Sequence, residues 1–422
     1  MTLRLQDVDL LDGDTFVQGP PHHMFKLLRR EAPIFWHPDP EGGGFWVLTK
    51  YDDLVKASMD TATFSSAKGI TLATMEFFPS QNLMMITTDP PRHTKLRRLV
   101  STGFTPRMVN RLEPDVRQMV NELLDNAIAK GECDFVTEVA AELPLRVIAR
   151  FLGVPHEDRH KIFEWSNKIL GAGDPEYGGI VIEKPPETEE EVQALIEQFR
   201  RVIAGAAMEM AAYLNSLEEE RLREPKEDLV TTYLHAEVDG EKLSTLERHA
   251  QFVLLAVAGN ETTRNLISGG LLALTEHPEQ MELLRSDLSL MPTAVEEMLR
   301  YVSPVMYMRR TVTRDTEFRG VPMKAGDRVT MWYISANRDE DVFPDPDAFI
   351  VTRQPNDHVA FGAGGPHFCL GASLARLEAR VLFEELLSRP YDVEVVGPVE
   401  RMRSNFINGI KHMPVRFRRR SR

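Results

Sequence analysis

The sequence lacks most of what would tie it to an oxidising compartment, a bilayer or a nucleic acid. Only two cysteines, Cys133 and Cys369, occur in 422 residues. That excludes a secreted disulfide framework and favours the cytoplasm. No long apolar run is present: the longest, Phe252 to Ala258, falls far short of the roughly 20 residues that span a bilayer. The opening stretch MTLRLQDVDLLDGDTF lacks the basic-then-apolar order of a signal peptide. No repeat, low-complexity tract or Gly/Ser linker divides the chain. Cations are outnumbered, 50 Lys and Arg against 64 Asp and Glu, for a net charge of −14. That speaks against broad nucleic-acid binding. A single soluble domain over residues 1–422 is expected, monomeric, cytoplasmic, with no nucleic-acid partner and no membrane anchor.

What is present is an ordinary globular composition, 42% hydrophobic and 27% charged. PIFWHP and GFWVLT flank a Pro/Gly-rich turn, Asp39 to Gly44, and read as a hairpin. From Tyr51 to Leu299 helical periodicity dominates, as in NRLEPDVRQMVNELLDNAIAK. GDPEYGGIVIEKPPETEEE interrupts it and reads as a mobile connection between two helices. Strand-like runs return late, in TEFRGVPMKAGDRVTMWY, YDVEVV and HMPVRFR. The expected fold is mainly α with small β-sheets at its edges. One helix is unusually long. Ser244-Thr-Leu-Glu247 forms a capping box at its start, and Pro278 stops it after His277. At 1.5 Å per residue it measures about 50 Å, and its middle, FVLLAVA, is apolar on every face and therefore buried.

Within that helix lies Ala258-Gly259-Asn260-Glu261-Thr262-Thr263. Threonines often bond back to the preceding turn, so the plain reading is a local packing feature. Yet an amide, a carboxylate and two hydroxyls are costly in an apolar helix unless something polar uses them. A carboxylate beside a hydroxyl, next to a space opened by Gly259, is one way to deliver protons into a dry pocket. The second constellation is Phe361-Gly-Ala-Gly-Gly-Pro-His-Phe-Cys369-Leu-Gly371, immediately before the helical ASLARLEARVLFEELL. A lone cysteine is most often a small buried hydrophobe. Here it precedes a helix N-terminus, where free amides and the helix dipole stabilise a thiolate. Glycines let the backbone approach a large flat ligand. Zinc would need further Cys or His ligands at short spacing, and there are none. A cysteine nucleophile stays open, with no identifiable histidine partner. Third, Glu297-Met-Leu-Arg300 places an acid and a base at i, i+3 before Pro304, a spacing that usually gives an exposed pair of little energetic weight.

AGNETT, then ExxR, then a glycine-rich cysteine loop, in this order, resembles the cytochrome P-450 family. The resemblance runs from the Pro33 hairpin to the final HMPVRF strand. It implies the mainly helical P-450 fold, with haem b between the long helix and the cysteine-loop helix. The implied reaction is haem-thiolate monooxygenation with O2 as co-substrate. Carried over residue by residue, Cys369 matches the axial ligand to iron, and Phe361 the aromatic of its loop. Gly362, Gly371 and Ala258 match positions against the haem. Glu261 and Thr262 match the acid–alcohol pair that handles protons. Glu297 and Arg300 match a buried structural pair, with Asn337-Arg338 in the meander after it. His93, Arg97, Arg310 and His367 match the ligands of the haem carboxylates, a task that suits charge-assisted hydrogen bonds. Arg92 is read as a solvated surface cation. The loop departs from the family's F-G-x-G-x-H-x-C by one added residue between Phe361 and Cys369.

The likeness is strongest to actinobacterial hydroxylases of methyl-branched lipids and steroid side chains, with a terpene hydroxylase as the alternative. A peroxide-driven peroxygenase and a non-catalytic haem sensor are disfavoured by the intact Glu261-Thr262 pair. With no fused redox domain, a ferredoxin and its reductase are the implied electron source. Arg376 and Arg380, one turn apart after the cysteine, are the expected docking cations. Substrate-facing segments of relatives match Thr71 to Met85, Val305 to Met308 and Phe406-Ile407. Met84, Met85, Met306 and Met308 would then give an adaptable apolar wall, unless they are ordinary core.

Overall fold

The computed structural model describes residues 3–40, 42–72, 82–181 and 188–420. Its axis is the helix Thr245–Glu276, capped as its sequence requires. Glu247 N–H donates to Ser244 Oγ (3.3 Å), and Ser244 N–H donates to the Glu247 carboxylate (2.8 Å). It ends at His277, before Pro278 opens the next helix. Helices Glu142–Leu152, Arg159–Leu170, Met291–Val302 and Ala372–Ser388 pack around it, and the main apolar core fills the space between them. Gly259 is the point of closest approach of one neighbour. A Cβ there would lie 2.7 Å from the Ile148 side chain. The glycine therefore admits a neighbouring helix, and the expectation that it opens a space beside Glu261 is corrected.

The sheets lie at the edges, as expected. The hairpin Ile34–His37/Phe45–Leu48 pairs Trp36 with Trp46 and forms the rim of a five-stranded sheet. Strands Arg328–Trp332, Tyr307–Val312 and Phe64–Ser65 complete it. Tyr391–Val395, Pro414–Arg419 and Glu132–Asp134 form a second sheet. The connection between helices Arg159–Leu170 and Glu189–Arg223 contains one short helix, Pro175–Gly178, and its residues 182–187 lie outside the described residues. No described helix is long and apolar enough to cross a membrane.

The Glu297–Arg300 pair is not the exposed contact that its spacing alone suggests. Both side chains are fully buried, joined by two hydrogen bonds of 2.8 Å. Glu297 also accepts from Arg353 Nε (3.1 Å), Ile350 N–H (2.9 Å) and Asn356 Nδ2 (3.0 Å). Arg300 donates to the carbonyls of Asn337 (2.8 Å), Pro346 (2.7 Å) and Ala348 (2.9 Å). One helix thereby holds the irregular chain 337–356, which has few regular backbone bonds of its own. Asn337 continues the tie, its Oδ1 accepting from Val359 N–H at 2.8 Å, two residues before Phe361.

Breaking a buried ion pair by removing one partner costs about 3–5 kcal/mol, because the other charge stays buried and unpaired. Glu297→Ala is therefore expected to lower the stability of the haem-loaded protein by that amount in urea denaturation. A loss below about 1 kcal/mol, the value of an exposed pair, would contradict this role.

Candidate active site

Cys369 sits where the glycine-rich loop enters the helix Ala372–Ser388. Its N–H closes the loop by donating to the Phe361 carbonyl at 2.9 Å. The added residue is absorbed by two successive left-handed glycines, Gly364 (φ 81°) and Gly365 (φ 75°). A Cβ on Gly365 would lie 2.3 Å from the Ser58 carbonyl oxygen, so only glycine fits there. The Arg376 guanidinium lies 4.6 Å from the Phe361 ring centre.

Cys369 is accessible although protein surrounds it closely, which places it at an internal space. Burial pushes its thiol up, opposed by the Gly371 N–H and by the cations of Arg97 and Arg376. The long helix shows a matching opening. Ala258 is exposed and Thr262 half-exposed, one turn apart, in a stretch that is otherwise mostly buried. Thr262 Oγ1 donates back to the Ala258 carbonyl at 2.9 Å.

His93, Arg97, Arg310 and His367 converge, as their separate matches implied. The His93 and His367 rings lie 4.2 Å apart, and Arg97 donates to the Pro366 carbonyl at 3.3 Å. Among the described residues no carboxylate forms an ion pair with Arg97 or Arg310. Asp89 lies within electrostatic reach of His93 and Arg310, but it is engaged by Ser65 and by Ser66 N–H (2.8 Å). Burial, then Arg97, pushes His93 down to about 4. Burial, then Arg310, His93 and Arg97, pushes His367 down to about 2. His93 Nδ1 is buried with no partner. Four basic groups crowd together, the two arginines disfavour charge on both histidines, and none of the four has an ion-paired carboxylate among the described residues. A haem fits: its carboxylates would neutralise this cluster, and Cys369 offers a thiolate beside the same internal space.

Glu261 and Thr262 are not brought together. Successive helical residues diverge by about 100°. Glu261 points away from the opening and is fully buried in an ion pair with Arg264. Arg264 in turn donates to Asn167 Oδ1 at 3.0 Å and lies between the rings of Phe163 (5.8 Å) and Tyr177 (5.6 Å). Burial raises the Glu261 carboxyl, opposed by Arg264. Sequence reasoning missed Arg264, although its i+3 spacing from Glu261 was a usable signal.

The apolar wall needs correction. Met306 and Ile407 are each 1% exposed and offer no surface to a ligand. Met306 packs with Tyr307 and Trp332, and Ile407 is fixed by a bridge to Val305. Met84 and Met85 are also buried core. Val305, Met308 and Phe406 stay half-buried. Within the segment Thr71 to Met85, residues 73–81 lie outside the described residues. Arg376 and Arg380 are not free docking cations: Arg376 grips Glu296, and Arg380 pairs with Glu113 (2.5 Å) and Glu384 (3.0 Å). A surface groove of about 670 Å³, lined by Asp115, Arg150, Arg159 and Lys226 among others, includes none of the site residues.

This chain belongs to the cytochrome P450 family, whose sequence profile matches residues 10–411. It is a monooxygenase of that family, using haem iron and O2. It is 45% identical over 406 residues to the methyl-branched lipid omega-hydroxylase of Mycobacterium tuberculosis, covering 93% of this chain and 90% of that protein. It is 40% identical to the steroid C26-monooxygenase of Rhodococcus jostii, over 97% of this chain and 84% of that one. Among solved structures, a Mycobacterium marinum cytochrome P450 in complex with pseudoionone superimposes with a TM-score of 0.82. The two share 39% identity and the match covers 94% of each chain.

The ligand assignment is testable by spectroscopy. The reduced, CO-bound protein should show the red-shifted Soret band of a thiolate haem, retained in Cys133→Ala and lost in Cys369→Ala. Retention of the band in Cys369→Ala would remove Cys369 from the iron.

Proposed function

We propose that this chain forms a single haem domain that hydroxylates a methyl-branched lipid or steroid side chain at or near its terminus. A ferredoxin, reduced by its reductase, supplies the electrons. The observation that carries the haem site is the unneutralised cluster of His93, Arg97, Arg310 and His367 beside an inward-facing Cys369. The substrate class rests on the lipid and steroid hydroxylases to which the chain is similar. When bound, the haem iron activates dioxygen for insertion of one oxygen atom into a C–H bond. Cys369 Sγ would ligate the iron, and the Gly371 N–H bonds that sulfur. Arg97, Arg310, His93 and His367 would bind the haem carboxylates and fix its orientation. Thr262 Oγ1, on the open face of the long helix, would hold a proton for the bound oxygen. Glu261 would have to leave its buried ion pair with Arg264 to pass a proton to it.

Burying an apolar chain contributes about 0.8 kcal/mol per CH2, enough for a long substrate with few polar anchors. Val305, Met308 and Phe406 are placed to touch it, while Met84, Met306 and Ile407 fix the wall from behind. For ferredoxin docking, Arg98, Arg107 and Arg111 replace Arg376 and Arg380. They are exposed and form no ion pair among the described residues. Their helices flank the cysteine loop through the Arg97–Pro366 contact and the packing of Pro106–Asn110 on Ala372–Ser388.

Three outcomes are expected. Phytanic acid should shift the ferric haem spin state more strongly than a straight-chain acid of equal length; tight binding of only small terpenes or polar aromatics would overturn the lipid assignment. Thr262→Ala should bind haem normally yet divert electrons to peroxide, with product formation falling by about 10²–10⁴. Coupling equal to wild type would remove Thr262 from proton handling. Ferredoxin reduction rates should fall steeply with salt, because exposed charges are screened within about 10 Å at 0.1 M. Rates indifferent to both salt and Arg107→Glu would rule out this surface.

A further inference from the structure

The helix Met291–Val302 carries a second glutamate beside Glu297, and its carboxylate leaves the helix about 100° further round. Glu296 faces the cysteine loop. It accepts two hydrogen bonds from Arg376, Nε at 2.6 Å and Nη2 at 2.8 Å, and one from His358 Nε2 at 3.0 Å. The arginine sits over the Phe361 ring, 4.6 Å from its centre, and the Phe361 carbonyl accepts the N–H of Cys369. His358 accepts from Ala360 N–H at 3.2 Å through its other nitrogen. One glutamate thus holds both sides of the loop's first turn. It also fixes a cation and an anion on the cysteine side of the haem site.

We propose that Glu296 and Arg376 are positioning residues whose opposed charges each act on the reduction potential of the haem iron bound at Cys369 and offset one another. The inference rests on ligation by Cys369. When the iron gains an electron, the site becomes one charge more negative. A nearby cation favours that state and a nearby anion opposes it. Paired, the two charges largely cancel at the sulfur, so removing either should show. Glu296 stays charged at neutral pH: against burial, the hydrogen bonds of Arg376 and His358 hold its carboxyl at about 2. Arg376 is 37% and Glu296 28% exposed, so solvent and salt screen the effect in part.

The test is spectroelectrochemical titration of the substrate-free, haem-loaded protein, with dithionite as reductant and mediator dyes. Glu296→Gln should shift the midpoint potential upward, and Arg376→Leu should shift it downward. The double variant should return close to wild type, and Arg376→Lys, which keeps the charge, should lie nearer wild type than Arg376→Leu. Both single shifts should shrink as salt rises. The CO-bound Soret band separates this idea from the one beneath it. If wild type shows no thiolate band, ligation by Cys369 itself fails. If wild type and the variants keep the band while potentials stay unchanged, or both single variants shift the same way, the charge-pair inference is overturned. Loss of the band in every variant would make the pair merely structural and would overturn it equally.

Discussion

The structure depends on one buried ion pair. Glu297 and Arg300 are fully enclosed, and their hydrogen-bonding capacity is spread over backbone and side chains from 337 to 356. This stretch has little regular structure, so side chains fix its path, with Arg29 on Glu340 and Lys50 on Asp339 adding to the pair. A buried pair seldom adds much stability compared with well-packed apolar side chains. What it supplies here is uniqueness: the meander can sit in one place only, because any other leaves two charges unsatisfied. Through Asn337 and Val359 that constraint reaches Phe361, and through the Phe361 carbonyl it reaches the N–H of Cys369.

Cys369, the proposed haem ligand, is thus held through its backbone by a network whose charges are paired. Above it the opposite holds. His93, Arg97, Arg310 and His367 crowd together without an ion-paired acid, and burial, then the neighbouring cations, drives both histidines toward neutrality. A protein would not keep such a cluster for stability. It becomes favourable once an anion arrives, and a haem brings two carboxylates. Satisfied charges fix the ligand loop, and unsatisfied ones make the cofactor part of the fold.

Much of this was legible in the sequence where the signal is local. The capping box at Ser244, Pro278, the Pro/Gly turn of the first hairpin and the glycine-rich loop before a helix each announce their structure within a few residues. Cys369 stood out because its neighbours made it unlike a core cysteine. Glu297 was harder. Its spacing to Arg300 was visible, but Ile350, Arg353 and Asn356 lie 53, 56 and 59 residues away in irregular chain, with no periodicity to mark them. Glu261 misled for a related reason. Adjacency to Thr262 in sequence suggested adjacency in space, whereas a helix turns neighbours apart and Arg264 claimed the carboxylate. The methionines could not be sorted into wall and core, because that depends on distant packing partners: Met84 and Met85 join the main helical core, and Met306 packs with Tyr307 and Trp332.

The central claim is that one atom of dioxygen enters an unactivated carbon of an apolar chain. The most direct measurement is turnover with phytanic acid, ferredoxin, its reductase and NADPH under 18O2, with the product analysed by mass spectrometry. The account predicts one labelled oxygen per product molecule, in a hydroxyl at or near the chain terminus. Reducing equivalents consumed without any oxygenated product, or product whose added oxygen is unlabelled, would contradict it.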